Sequence, residues 1–221
     1  MRTTPVTENL IQLTRSGFVN AYLVREDDGF TLVDTTLKGG AGELIAAAKL
    51  AGGDIRRIVL THGHGDHVGS LDALKDATGV DVYMPEADAR IHAGEPYGGK
   101  LRGSWPKLAT KPDVRINGGD RIGSLEVVAS PGHTPGHVSF LDSRDRALIA
   151  GDAYSTYGGV ASPERVHWRF PLVWGATCDR PRAGESARAL IALQPALLAA
   201  GHGKVVKDPV RAMEKACRVR G

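Results

Sequence analysis

Cysteine is scarce in this chain: Cys178 and Cys217 are the only two among 221 residues. They are too few for a disulfide framework and show no metal-ligand spacing, so a reducing cytoplasm is the expected home. Long apolar runs are missing as well. Charged or polar residues interrupt every candidate before the ~18 residues needed to cross a bilayer, which excludes a spanning helix. No block of like charge occurs: 28 basic and 25 acidic residues are interspersed to a net +3, so nothing demands a nucleic-acid partner. The opening Met1-Arg2-Thr3-Thr4-Pro5 lacks a basic segment followed by an apolar run, so export is not expected. What remains is a chain of 42% hydrophobic residues, enough for one globular domain over residues 1–221 with a sizeable core.

Short β-rich runs open the chain, at Val6 to Leu13, Phe18 to Val24 and Phe30 to Val33, the last ending at Asp34. An Ala-rich helix over Glu43 to Leu50 stops at Gly52-Gly53, and Arg57 to Leu60 returns to strand. Thr61 to Asp66, built of Gly, His and Asp, is then a loop leaving a strand's end and entering a helix near His67 to Ala77. A strand at Val80 to Tyr83 and a helix near Glu86 to Ala93 follow. Residues 94–112 read as a long surface loop carrying Tyr97 and Trp105. Strands resume at Val114 to Ile116, Leu125 to Ala129, Val138 to Leu141 and Ala147 to Ala150. Residues 153–180 hold no period but six aromatic or imidazole rings. A helix over Gly184 to Leu193, a strand over Ala196 to Ala199 and a helix near Pro209 to Val219 complete the chain. Strand clusters interrupted by helices in both halves imply an α/β fold of two packed sheets with helices on their outer faces.

The strongest chemical signal is Thr61-His62-Gly63-His64-Gly65-Asp66-His67, with three imidazoles and a carboxylate in six positions. In an extended loop His62 and His64 project to the same side and can bind one ion, whereas Asp66 and His67, at the turn into a helix, can face a second. Further donors sit in Gly-flanked turns at strand ends: His133 in Ser130-Pro131-Gly132-His133-Thr134-Pro135-Gly136-His137, Asp152 in Gly151-Asp152, and His202 in Gly201-His202-Gly203. Each of these alone is more often a turn residue than a ligand; beside the loop motif the odds reverse. His137 falls outside the pattern and reads as a buried, hydrogen-bonded histidine. His92 and His167 read as ordinary surface or pocket residues.

With its His-x-His-x-Asp-His loop followed in order by a His, an Asp and a His, the chain resembles the metallo-β-lactamase superfamily of hydrolases. The resemblance implies an αββα sandwich of two mixed sheets flanked by helices. It also implies two divalent metal ions: His62, His64 and His133 on the first, Asp66, His67 and His202 on the second, and Asp152 bridging them. Asp34 takes the place of the family's supporting acidic residue. Histidine and carboxylate donors suit zinc, while manganese and iron accept the same set. Water shared by two such ions ionises near pH ~7 and becomes a nucleophile toward an ester-type carbonyl.

The substrate is expected to be a small molecule. Asp152 stands where many β-lactamases of this fold place a cysteine, which points away from antibiotics and toward the glyoxalase II and lactonase branches, hence to a lactone or thioester. Tyr154, close after Asp152, has two readings, a hydroxyl that assists at the substrate carbonyl or a packing aromatic. The aromatic loops can form an apolar wall for an acyl chain or a homodimer interface. β-Lactam or phosphodiester hydrolysis at the same site is the alternative activity, and a noncatalytic metal-binding role is the non-enzyme alternative.

Overall fold

The computed structural model describes residues 1–218. The chain divides into two compact units, Met1–Pro96 with Ser104–Ile116, and Tyr97–Gly103 with Asn117 onward.

The first unit holds a seven-stranded mixed sheet in the order β1 to β7. Strands β1 (Arg2–Pro5), β2 (Leu10–Arg15), β3 (Val19–Glu26) and β4 (Gly29–Val33) form an antiparallel meander. From β4 onward, β5 (Ile55–Val59), β6 (Asp81–Pro85) and β7 (Val114–Ile116) run parallel. Helix α1 (Ala41–Leu50) makes the first crossover. The second passes through α2 (Gly65–Val68) and α3 (Leu71–Thr78), and α4 (Glu86–His92) precedes β7. Parallel neighbours need such crossovers, because no tight turn can return the chain to the same end of the sheet. The core gathers Leu13, Leu23, Leu32, Leu44, Ile58 and Val82, all fully buried. Each such side chain contributes roughly 1.5–3 kcal/mol of burial.

The second unit holds a six-stranded sheet in the order β13-β12-β11-β10-β9-β8. Its strands are β8 (Arg121–Ile122), β9 (Leu125–Ala129), β10 (Val138–Asp142), β11 (Ala147–Gly151), β12 (Leu197–Ala200) and β13 (Val206–Lys207). Only β11 and β12 are parallel, joined through α5 (Leu172–Ala176) and α6 (Arg180–Ile191). Helix α7 (Val210–Cys217) packs with α6, and Leu148, Tyr154, Leu190, Leu198 and Met213 form the core there. No helix among the described residues is long and apolar enough to cross a membrane.

Several boundaries differ from the expectation for identifiable reasons. β1 escapes detection because all four of its residues are exposed, so pairing to β2 and not burial holds it. The expected helix from His67 breaks at Gly69-Ser70, where Gly69 donates to the Thr36 carbonyl and Ser70 Oγ to that of Leu37. Helix α6 starts four residues before the expected Gly184, because Asp179 caps it by accepting from the Arg182 N–H and Pro181 occupies its first turn. A helix, α5, and a strand, β13, also appear where no period was legible. Val219, the expected end of the last helix, lies outside the described residues.

One close approach fixes a residue type. Gly132 has φ +129°, and a Cβ there would lie 2.2 Å from the Ala183 backbone nitrogen at the start of α6. Gly119, at φ +97°, has open space around it. With chelator present, Gly132→Ala is expected to lower unfolding stability by about 3 kcal/mol, from overpacking and backbone strain together. Gly119→Ala carries strain alone and should lose about 1 kcal/mol. Urea midpoints measure both, and equal losses would refute a special requirement at Gly132.

Candidate metal centre

Strands β4, β5 and β6 share one direction, so their carboxyl ends lie along a single edge of the first sheet, the usual position of ligand-binding groups in parallel sheets. Asp34 follows β4 and Thr61 to His67 follow β5. Asp34 adopts φ +62°, a left-handed conformation that aspartate tolerates better than most residues. Its carboxylate is buried and accepts three hydrogen bonds, from the Thr61 N–H and hydroxyl and from His67 Nδ1, each at 2.8 Å.

This arrangement assigns two tautomers. Asp34 makes His67 Nδ1 the protonated nitrogen, leaving the Nε2 lone pair to face outward. Thr61 gives its only hydroxyl proton to Asp34, so at 3.0 Å it must accept from His62 Nδ1–H, and His62 Nε2 likewise carries the lone pair. The rings of His62 and His67 lie 4.1 Å apart and those of His62 and His64 4.9 Å, all three histidines being buried. Asp66 is the accessible member, 3.8 Å from His67 Nε2, with its side chain 32% exposed.

The loop is clamped at each glycine. Gly63 N–H donates to the buried Asp88 carboxylate at 2.8 Å, and the Gly63 carbonyl lies 2.9 Å from His92 Nε2. Gly65 N–H reaches the Ser104 carbonyl, and Trp105 stands edge-on to His64 at 5.2 Å. A Cβ on Gly63 would collide with His92 and Trp105. His92 is thus the pocket residue of the two expected alternatives, half-buried against the loop. Burial holds its pKa below the usual histidine value, against the raising effect of backbone carbonyls, so it is neutral at physiological pH.

In the second unit β9 and β11 flank β10 antiparallel to it and β11 pairs parallel with β12. The ends of β9, β11 and β12 therefore share an edge, and from it emerge His133, Asp152 and His202. Their atoms converge: His133 Nε2 and His202 Nε2 each lie 3.3 Å from Asp152 Oδ2. Thr177 donates its hydroxyl to the Val173 carbonyl at 2.7 Å, so at 2.9 Å it accepts from His133 Nδ1–H and again leaves the lone pair on Nε2. A lone pair and a carboxylate oxygen facing each other in a buried site repel unless a proton or a cation lies between them. The donors of this unit therefore fit a bound metal ion.

His137 holds the third corner. It accepts the Asp152 backbone N–H on Nε2 at 3.0 Å and donates Nδ1–H to Ser130 Oγ at 2.9 Å. Ser130 passes the chain to Ser139, which donates to the Ala150 carbonyl. It is buried and hydrogen-bonded as its sequence context implies.

Tyr154 takes the second of its two readings. Its hydroxyl donates to the Ala187 carbonyl at 2.7 Å and meets Cys217 Sγ at 3.3 Å, within the core between β11 and the helices. Burial raises its pKa far above the usual phenol range, so the expected catalytic role is corrected to packing. Three supporting residues escaped sequence reasoning. Thr61 was visible in the motif, but its relay needs Asp34 folded beside it. Asp88 looks like the solvent face of a helix, and Thr177 ends a stretch without period.

Comparison with known proteins follows the same line. The family profile described as "Metallo-beta-lactamase superfamily" matches residues 14–202. An uncharacterized protein, YobT, from Bacillus subtilis (strain 168) is 40% identical over 207 residues, covering 90% of this chain and 88% of that protein. The same organism's probable metallo-hydrolase YflN is 28% identical, covering 83% and 80%. A hydroxyacylglutathione hydrolase of Rhodopseudomonas palustris (strain HaA2) is 32% identical over 61% of this chain but only 46% of its own length. Among solved structures, TTHA1623 in a di-iron-bound form superposes with TM-score 0.70 at 27% identity, covering 95% of this chain and 96% of that one. The two mixed sheets with their helices are those of this fold, as the resemblance implied. The chain belongs to the metallo-β-lactamase superfamily of metal-dependent hydrolases.

Proposed function

We propose that the two donor sets act together, within one domain spanning 1–221, as a dinuclear zinc centre that hydrolyses a lactone or a thioester. His62, His64 and His133 would hold one ion, Asp66, His67 and His202 the other, with Asp152 shared. The observation that carries this reading is the common tautomer: His62, His67 and His133 each have Nδ1–H tied to a buried oxygen, leaving Nε2 as a pre-oriented donor atom. Two divalent ions so held would supply Lewis acidity, enough to make water a nucleophile at neutral pH and to stabilise negative charge on the carbonyl oxygen.

The chain's own groups set the rest. Asp34 and Thr177 fix the His67 and His133 imidazoles in rotation and in tautomer. His137 holds the backbone of Asp152, so its carboxylate stays aimed between His133 and His202. Asp66, the most exposed donor, is the group through which a proton can leave toward solvent. Trp105 against His64 and Phe170 against His202, at 5.0 Å, bring apolar rings to the donor sets. These rings support an apolar acyl group over a highly charged substrate.

Protein purified without added metal should carry close to two divalent ions per chain by elemental analysis, and chelation should abolish turnover. A panel of acyl lactones, thioesters, phosphodiesters and β-lactams should show the first two turned over fastest; turnover of phosphodiesters alone would reject the reading. Asp66→Ala should lower kcat by at least a hundredfold, whereas a noncatalytic metal-dependent binding role could survive it.

Asp34→Asn keeps the left-handed backbone but sets an NH2 against the Thr61 N–H or hydroxyl. Metal affinity should fall about 10–100-fold, read by competition with a chromophoric chelator. Unchanged affinity would show that Asp34 does not orient His62 and His67.

A further inference from the structure

The second unit carries a cleft of about 820 Å³ between the 159–167 segment and helix α7, and none of the metal-donor residues lines it. Its walls hold Arg165, Lys215 and Arg218 beside His167, with Ala212 and Ala216 on the helix. Ala212, Lys215 and Ala216 stand at i, i+3 and i+4, so they share one face, and the two alanines leave room in front of the lysine. Among the described residues, no side chain forms an ion pair or hydrogen bond with Arg165, Lys215 or Arg218; the nearby Glu164 is taken by Arg188 at 2.8 Å. His167 lines the same cleft, so its ring reports on what enters there. Like charge concentrated in a cleft is relieved by an anion with several acceptor oxygens.

We propose that this cleft binds a phosphate-bearing small molecule, separately from the metal centre. Three positive charges around one cleft match a dianion better than a single carboxylate. Arginine presents paired donors suited to phosphate oxygens, and lysine adds a point charge. The cleft is far larger than a phosphate group, so the organic part of a phosphate monoester fits with it.

The test is calorimetric titration of the metal-loaded full chain with inorganic phosphate at low ionic strength, with acetate as the singly charged control. One saturable phosphate site besides any at the metal centre is expected, with acetate at least tenfold weaker there. The double variant R165Q/K215Q should weaken phosphate binding at least tenfold while retaining its metal content. In the unaltered protein, phosphate should shift the ring nitrogen resonances of His167, a readout independent of any variant. An unchanged number of phosphate sites in R165Q/K215Q, a His167 left unmoved, or binding matched by acetate would overturn the proposal.

Discussion

The chemistry of this protein depends on where each histidine keeps its proton. A neutral imidazole has one donor nitrogen and one acceptor, and in water the two tautomers interchange freely. Here a buried oxygen takes the Nδ1–H of His62, His67 and His133, by way of Thr61, Asp34 and Thr177 respectively. Each of those oxygens is held in turn, the two threonines because their only hydroxyl proton is already donated elsewhere. The result is a set of lone pairs aimed before any ion arrives, which lowers the cost of ordering ligands on binding.

Strand direction makes that arrangement possible. A donor at the carboxyl end of a strand is fixed by the hydrogen-bonded ladder behind it but free of the ladder itself. Asp34 and the 61–67 loop leave adjacent parallel strands, and so do Asp152 and His202. Each pair is therefore neighbouring in space although 27 or more residues separate its members along the chain. The glycines of the 61–67 loop complete the device. Gly63 has Asp88 on its N–H and His92 on its carbonyl, with Trp105 closing the space a side chain would need.

The second unit uses its aromatic and basic residues on different surfaces of one loop region. Phe170 stacks near Tyr157 at 4.9 Å and near His202, while Arg165 and His167 line the cleft toward α7. Trp168, between them in sequence, is 85% exposed and contributes to neither core. Tyr154 shows the opposite case, an aromatic beside a metal-donor residue in sequence whose side chain points into the helix-packed core.

Much was legible in the sequence because chemistry and local geometry were written in short motifs. The His-rich 61–67 loop stood out by residue type and spacing, and the strands and the α/β class by period, whereas His133, Asp152 and His202 were joined to it through the family resemblance. His137 could be set apart from the ligands for the same reason, since it falls outside the motif. The supporting residues could not be read this way. Asp34, weak as an isolated strand-end aspartate, gains its role only where β4 and β5 pair. Asp88 and Thr177 act through contacts 25 and 44 residues away in the chain. The cationic cleft likewise joins residues from 159 to 218 that carry no shared motif. The sequence by itself determined which residue types could ligate and where they cluster along the chain; only packing of distant segments decided which nitrogen keeps its proton and which hydroxyl is buried, because those depend on neighbours that the chain brings together by folding.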